Sequence, residues 1–322
     1  MAEVAPLSYS SRRILRKRDM AGGPKSLFER SGPLVLEIGF GDGRFLVELA
    51  RLHPEWNLVG VEISLASVSR AFRRMHREGV DQVRLYRGHG RMVVRDFIEP
   101  ESLRRIYVNF PDPWPRRNQL AYRLLQPGFF RMAANRLALG GDLVLTTDHA
   151  EYFEFSRASA KASGIFEEEV LAPPPETLRT KYAMKWQDQQ RPIYHAVFTP
   201  TERPAPPVRE TQIEDMQHAL MDGDLGAVRQ VSKHVRQFEG GTAIVLEAYR
   251  SLADDVLMFE VVVEEADLHQ ELLVKAWEKA DGIFVGLQPF GDPMGTRGCR
   301  EAVHAVTDVL QSHGLTVRKT WI

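Results

Sequence analysis

The stretch that most limits what this chain can fold into is Leu34-Val35-Leu36-Glu37-Ile38-Gly39-Phe40-Gly41-Asp42-Gly43-Arg44-Phe45. Pro33 to Ile38 is a short apolar run that reads as a buried strand. Glycines at alternate positions read as a tight turn, and Phe45 to Leu52 as an apolar-periodic helix. Strand, glycine turn and helix in that order make a nucleotide-binding turn. The glycines keep side chains away, so backbone N–H groups and the helix N-terminus can meet a polar ligand at close range. In the dinucleotide fingerprint the third glycine falls three residues after the second, where this chain has Arg44. A nicotinamide-dinucleotide reading therefore loses ground.

What stands here is Glu37-x-Gly39-x-Gly41-x-Gly43, with a carboxylate at the strand end. About twenty residues on, Leu58-Val59-Gly60-Val61-Glu62 reads as a second strand ending in a carboxylate placed for the hydroxyls of a ribose. A structural turn or another nucleotide would also accommodate the glycines alone. With Glu62 added, the pair resembles the first two motifs of class I S-adenosylmethionine methyltransferases.

The whole chain sets outer bounds. At 322 residues it predicts two domains. A single cysteine, Cys299, excludes an internal disulfide framework and a cysteine-rich metal site, and no metal is expected. No apolar stretch has the length of a signal-peptide core or a membrane span, so a cytoplasmic protein is the default. The net charge of −1 hides an asymmetry. Residues 1–200 carry 30 Lys+Arg against 23 Asp+Glu, whereas residues 201–322 carry 12 against 20. A basic front half is the pattern expected of a chain that meets a polyanion, although uneven surface charge would look the same.

In chain order, residues 1–30 form a basic arm with Arg12, Arg13, Arg16, Lys17, Arg18, Lys25 and Arg30. It reads equally as a phosphate-contacting arm and as a solvated terminus. Ser64 to Glu78 reads as a helix whose Arg70, Arg73, Arg74 and Arg77 share one face, either tracking a phosphate backbone or simply solvated. Val83 to Tyr86 reads as a third strand, and His89 just beyond it is a candidate for the edge of an adenine. Ile106 to Phe110 reads as a fourth strand, followed at once by Pro111-Asp112-Pro113-Trp114-Pro115. Three prolines in five residues fix φ and remove donors, giving a stiff loop at the carboxyl edge of the sheet, where open α/β sheets hold ligands.

With that loop the resemblance becomes specific. Asn109-Phe110-Pro111-Asp112-Pro113-Trp114-Pro115-Arg116-Arg117 resembles the signature of the bacterial tRNA (guanine-N7-)-methyltransferase family. Thr147-Asp148 with Tyr152, then Thr180-Lys181-Tyr182 and Arg191-Pro192-Ile193-Tyr194, resemble its later segments. The likeness covers about residues 30–199. It implies a Rossmann-like class I methyltransferase fold, with a mostly parallel seven-stranded sheet and helices on both faces, over residues 31–199. It implies transfer of a methyl group from S-adenosylmethionine to N7 of the variable-loop guanine, nucleotide 46 of tRNA. The cofactor would be held by Glu37, Gly39, Gly41, Gly43, Glu62, His89, Asn109 and Asp112. Asp112 would be the catalytic residue, and Arg116, Arg117, Asp148 and Thr180 would bind substrate.

The chain departs from the family pattern at His89, where an acidic or amide residue is usual. It departs again in the family's basic run after Trp114, where only Arg116, Arg117 and Arg123 keep charge while Asn118, Gln119, Ala121 and Tyr122 are neutral, and at Ala183, in place of a glutamate. Two other readings stay open: a methyltransferase for another RNA base or a protein, and a non-catalytic tRNA-binding factor. Monomer and homodimer are both open.

Gln126 to Leu139 reads as a helix ended by Gly140-Gly141, Leu143 to Thr147 as the fifth strand and Glu151 to Ser163 as a helix. Ile165 to Val170 and Ile193 to Phe198 read as a closing antiparallel pair. Residues 200–208 read as a Pro-rich linker. Residues 209–322 read as an acidic α+β domain. Its expected helices are Glu210 to Met221, Leu225 to Gln237, Leu268 to Ala280 and Arg300 to Ser312. Its expected strands are Thr242 to Arg250, Val256 to Val263, Gly282 to Leu287 and Leu315 to Trp321. Gly291, Gly295 and Gly298 lie in a loop that lacks the Lys-Ser/Thr ending of a phosphate-binding loop.

Overall fold

In the computed structural model the described residues are 14–15, 20, 23, 27–179, 191–206, 218–252, 255–265, 268–290 and 293–321. The chain divides into two units, Met1–Val208 and Arg209–Ile322.

In the first unit a two-residue strand β1, Ile14–Leu15, precedes the apolar strand β2, Leu34–Ile38, all of whose residues are buried. The glycine turn then starts helix α1, Arg44–Leu52. Strand β3, Asn57–Glu62, leads into helix α2, Leu65–Arg77. The Ser64 hydroxyl caps α2 by accepting the Ser67 N–H, and Arg74, His76 and Arg77 sit at its negative end. Strands β4, Val83–Arg87, and β5, Leu103–Asn109, follow. Helix α3, Pro127–Arg136, runs directly into β6, Leu137–Thr147. Helix α4, Ala150–Ser163, is capped by His149 and stopped by Gly164 at φ 75°, and the antiparallel strands β7, Phe166–Val170, and β8, Tyr194–Pro200, close the unit.

The sheet order is β1-β4-β3-β2-β5-β6-β8-β7, parallel from β1 to β6. Eight strands replace the seven expected, because a two-residue strand leaves no periodicity to read. Strand alternation puts Val35, Leu58, Leu85 and Val144 in one core with α1 and α2. Leu143 and its partner Phe198 face the other way, where Phe198 meets Phe130 of α3 ring to edge at 5.1 Å. Helices therefore cover both faces.

Gly140 and Gly141 do not end a helix. They form the extra length of β6 where Leu103 pairs Leu137 but Arg105 pairs Asp142. Gly140 has φ 71°, and a Cβ on Gly141 would stand 2.8 Å from the Leu103 carbonyl oxygen, so this bulge requires glycines.

The second unit is a seven-stranded antiparallel sheet, order β10-β11-β12-β13-β14-β9-β15. Its strands are β9 His218–Asp222, β10 His234–Phe238, β11 Gly241–Arg250, β12 Val256–Glu265, β13 Leu268–Lys279, β14 Gly282–Leu287 and β15 Thr316–Trp321. Helix α5, Arg297–Ser312, packs its apolar face on Val261, Val274, Val285 and their neighbours. Two expected helices are strands. Leu268 to Lys279 pairs on both sides, and Gln270, Leu272, Val274 and Ala276 alternate inward, so pairing overrides the helix propensity of its Glu, Lys and Ala residues. Leu225 to Gln237 is a short turn at Leu225–Ala227, capped by Asp224, then β10. Of the expected helix Glu210 to Met221, residues 210–217 lie outside the described residues, and the rest belongs to β9. At the start of α5 the Glu265 carboxylate accepts the Gly298 N–H and the Thr296 hydroxyl, so the protein supplies its own anion there. Among the described residues no helix is long and apolar enough to cross a membrane.

Candidate active site

The site begins where β2 ends. Gly39, Gly41 and Gly43 have φ of 80°, 55° and 77°, a left-handed conformation that L side chains rarely adopt. A Cβ at Gly39 or Gly41 would meet nothing within 4 Å, so their surface opens into free space. Gly43 differs: its Cβ would lie 2.7 Å from that of Ala71, so this glycine also lets α1 and α2 approach.

Glu62, at the end of β3, closes the turn. Its carboxylate accepts the Gly41 N–H at 3.1 Å and the Ser64 N–H at 3.0 Å, which leaves further lone pairs on both oxygens. The Glu62 carbonyl accepts the Gly88 N–H at 3.1 Å, bringing the His89 loop alongside. His89 itself is exposed and begins a short helical turn at Gly90–Met92.

Beside the turn, Glu37 is buried and accepts a 3.3 Å hydrogen bond from the Asn109 amide. Glu37 Oε2 and Asn109 Oδ1 are buried and have no partner among the described residues. Burial pushes the Glu37 carboxyl up to about 8; the Asn109 hydrogen bond opposes this, while nearby Glu62 and Asp42 add to it. A cavity lined by Glu37, Gly39, Gly41, Arg44, Arg70, Asn109 and Phe110 lies over this pair. A buried carboxylate with a vacant acceptor suits a cationic group, and an open glycine turn beside a second carboxylate suits a nucleoside. The donor and acceptor set fits S-adenosylmethionine.

The arginine stripe of α2 does not act as one surface. Arg74 bonds the Asp42 carboxylate and carbonyl at 3.0 Å and so anchors the glycine turn. Arg77 pairs with Glu78, Arg73 bonds the Ser69 carbonyl, and Arg70 bonds Ser67 at the cavity wall. The position of α2 directly after the Glu62 strand was the available signal for Arg70. Arg30 is structural too, binding the Pro54 and Trp56 carbonyls and Asn57; the other cations of the N-terminal arm lie outside the described residues.

One strand away, β5 delivers the proline loop. Phe110 and Trp114 have φ of 49° and 41°, so two non-glycine residues in strained backbone bracket the exposed Asp112. The loop is held at its base and again at Pro113. The Phe110 N–H donates to the Thr146 carbonyl at 2.7 Å, and the Thr146 hydroxyl meets the buried His195 Nδ1 at 2.9 Å. Burial, with the nearby Arg105 charge adding to it, pushes the His195 imidazole down to about 4. Arg123 donates to the Pro113 carbonyl and to Glu151, each at 2.8 Å, with its guanidinium over Tyr152 and Phe155. In the sequence Arg123 reads as part of a basic run; the structure makes it a buried clamp between the proline loop and α4. Trp114 and the exposed Tyr122 pack with ring centroids 5.5 Å apart.

Asp148 follows β6, half-buried and 3.8 Å from Arg191. Arg116 and Arg117 are exposed. Thr180, with Lys181, Tyr182 and Ala183, lies outside the described residues. The cavity thus gathers Glu37, Gly39, Gly41 and Asn109, while its lining includes neither Glu62, His89 nor Asp112.

A largely parallel sheet with a glycine turn between two strand-end carboxylates, and a stiff proline loop on the neighbouring strand, defines a class I Rossmann-like methyltransferase fold. A family described as "Putative methyltransferase" matches residues 31–196. A Thermus thermophilus protein named tRNA (guanine-N(7)-)-methyltransferase is 44% identical over 91% of this chain and 94% of its own length. A Deinococcus radiodurans protein of the same name is 42% identical, over 89% of this chain and 91% of its own length. The chain belongs to the tRNA (guanine-N7-)-methyltransferase family.

Proposed function

We propose that this chain is a cytoplasmic S-adenosylmethionine-dependent RNA methyltransferase acting on N7 of a tRNA guanine, the variable-loop nucleotide 46. The observation that carries this reading is the buried Glu37–Asn109 pair, whose Glu37 Oε2 and Asn109 Oδ1 have no partner among the described residues, at the end of the strand that leads into Asp112 on a strained loop.

S-adenosylmethionine supplies a methyl group already activated by its sulfonium. Guanine N7 has an exposed lone pair and no proton, so the chain needs no general base for the nucleophile. Its work is alignment and charge stabilisation. Glu37 and Asn109 would receive the methionine end, the open Gly39–Gly41 turn would give the cofactor room, and Gly43 sets the course of α1. Glu62 takes ribose hydroxyls on its remaining lone pairs, and His89 meets the adenine edge. Asp112 orients the guanine and offsets the positive charge that develops on its ring. Asp148 and Thr180 hold the guanosine, Arg116 and Arg117 meet phosphate, and the Trp114–Tyr122 pair offers a ring surface to a base.

The neutral residues Asn118, Gln119, Ala121 and Tyr122 favour a second reading, methylation of another RNA base. Incubating the protein with radiolabelled S-adenosylmethionine and unmodified tRNA, then analysing nucleosides, decides. Label in 7-methylguanosine is the expected result. Label in another nucleoside gives the second reading, and no label despite cofactor binding overturns both.

A further inference from the structure

The second unit has one sheet face covered by α5 and a second face of different chemistry. Strand alternation that sends Leu272, Val274 and Ala276 inward sends Lys275, Trp277 and Lys279 of β13 outward. The register sets Trp277 beside Phe284 of β14 and Lys275 beside Gly286, which carries no side chain; Gly286 in turn pairs with His218 of β9. The Trp277 and Phe284 centroids are 5.9 Å apart, and His218 stacks on Phe284 at 5.8 Å with planes 15° apart. Lys279 Nζ stands 4.0 Å from the Phe284 centroid and 5.2 Å from that of Trp277, and Lys275 Nζ is 5.1 Å from Trp277.

These lysines are unusual for where they are. Residues 201–322 have 20 Asp+Glu for 12 Lys+Arg, and among the described residues arginines pair with five of these carboxylates: Arg236 with Glu301 and Asp308, Arg250 with Asp255, Arg297 with Glu239, Arg318 with Asp222. Lys275 and Lys279 pair with no carboxylate among the described residues, and both ammonium groups lie over rings. A lysine stem laid on a ring also covers apolar surface, but that does not require leaving the charge unmatched where carboxylates are in excess. Of the acids that alternation places on this face, Glu247 and Glu260 are gathered at the Tyr249 hydroxyl on β11 and β12, Glu264 and Glu271 flank His269 at the far end of β13, and Asp222 is held by Arg318. That confines the cationic, aromatic surface to β13, β14 and β9.

Rings flanked by unmatched cations on an open sheet fit a chain of bases and phosphates. We propose that this face is an RNA-binding platform, with Trp277 and Phe284 stacking on unpaired bases of the tRNA and Lys275 and Lys279 meeting its phosphates. The choice of tRNA as the RNA rests on the function proposed above.

The test uses the full chain and unmodified tRNA. Filter binding across a salt series compares wild type with Trp277→Ala, Trp277→Phe and the double variant Lys275→Gln/Lys279→Gln. Trp277→Ala should bind tRNA about tenfold more weakly, with Trp277→Phe close to wild type. The lysine variant should bind more weakly and lower the log–log salt slope by about 1.4. Cofactor affinity should not move in any of them. Wild-type tRNA affinity and slope in both Trp277→Ala and the lysine variant would overturn the proposal. Loss of a dimer by light scattering with unchanged tRNA affinity would give the face to a second copy and also overturn it. Should Trp277→Ala fail to fold, the surface lysine variant decides alone. Trp277-sensitive tRNA binding without 7-methylguanosine would sink the methylation reading and leave the platform standing; 7-methylguanosine with insensitive binding would do the reverse.

Discussion

Glu37 couples the stability of the fold to binding at this site. Its carboxyl has an ordinary value near 4.5 in the unfolded chain, and burial pushes it up to about 8 in the folded protein. The stability it contributes is full below 4.5 and is lost as pH rises through 8, because the unfolded chain releases the proton first. Glu37→Gln stays neutral and escapes that loss. It should therefore melt several degrees above wild type at pH 8, the gap narrowing toward pH 5, as scanning fluorimetry reads directly. In its proposed role the carboxylate form meets the ammonium of the methionine end, so wild-type affinity for S-adenosylmethionine should rise by up to about tenfold per pH unit toward pH 8 and fall above it as the ammonium loses its own proton. Calorimetric titration of Glu37→Gln should show weaker binding and no such rise. Asp112 has a different signature, since it is exposed and outside the cavity lining. Asp112→Ala should lower kcat about 100-fold and leave cofactor affinity within about twofold. Equal losses in both would make it a binding residue.

Among elements, the proline loop depends on Arg123. Its guanidinium donates to the Pro113 carbonyl within the loop and also reaches Glu151 of α4. Arg123→Lys keeps the charge but lacks the planar fork needed to hold both acceptors. Stopped-flow and steady-state assays should show kcat reduced about tenfold with cofactor affinity unchanged; an unaltered kcat would mean the prolines and the Phe110–Thr146 bond fix the loop without Arg123. The sequence made the strands of this unit and the two carboxylates legible, because β2 and β3 end in acids at a spacing that the glycine turn makes meaningful. It could not separate Arg123 from Arg116 and Arg117, since burial under Tyr152 and Phe155 comes from α4, far along the chain. The same limit explains β13. Its Leu, Ala, Glu and Lys content favours a helix locally, and only β12 and β14 on either side make it a strand. In α2 the shared face of the arginines was readable, but their partners, Asp42 among them, belong to other elements.

For the whole molecule, the charge asymmetry has a consequence for salt. The first 200 residues carry the excess cations, yet Arg74, Arg77 and Arg123 already have carboxylate partners, so the charge free to meet RNA is smaller than composition suggests. Exposed Arg116 and Arg117 remain beside Asp112 and are proposed to take phosphates. Each phosphate neutralised by an arginine or lysine releases counterions, which makes tRNA affinity fall with salt, whereas a cofactor held mainly by a buried carboxylate and backbone N–H groups should be nearly indifferent to it. Arg116→Gln/Arg117→Gln should therefore lower the log–log salt slope for tRNA by about 1.8 and leave cofactor binding unchanged between roughly 50 and 200 mM salt. Combined with Lys275→Gln/Lys279→Gln, the losses in slope should add, because the two pairs lie in different units and share no partner. A combined loss no larger than that of either pair alone would mean that only one of the two surfaces meets the RNA.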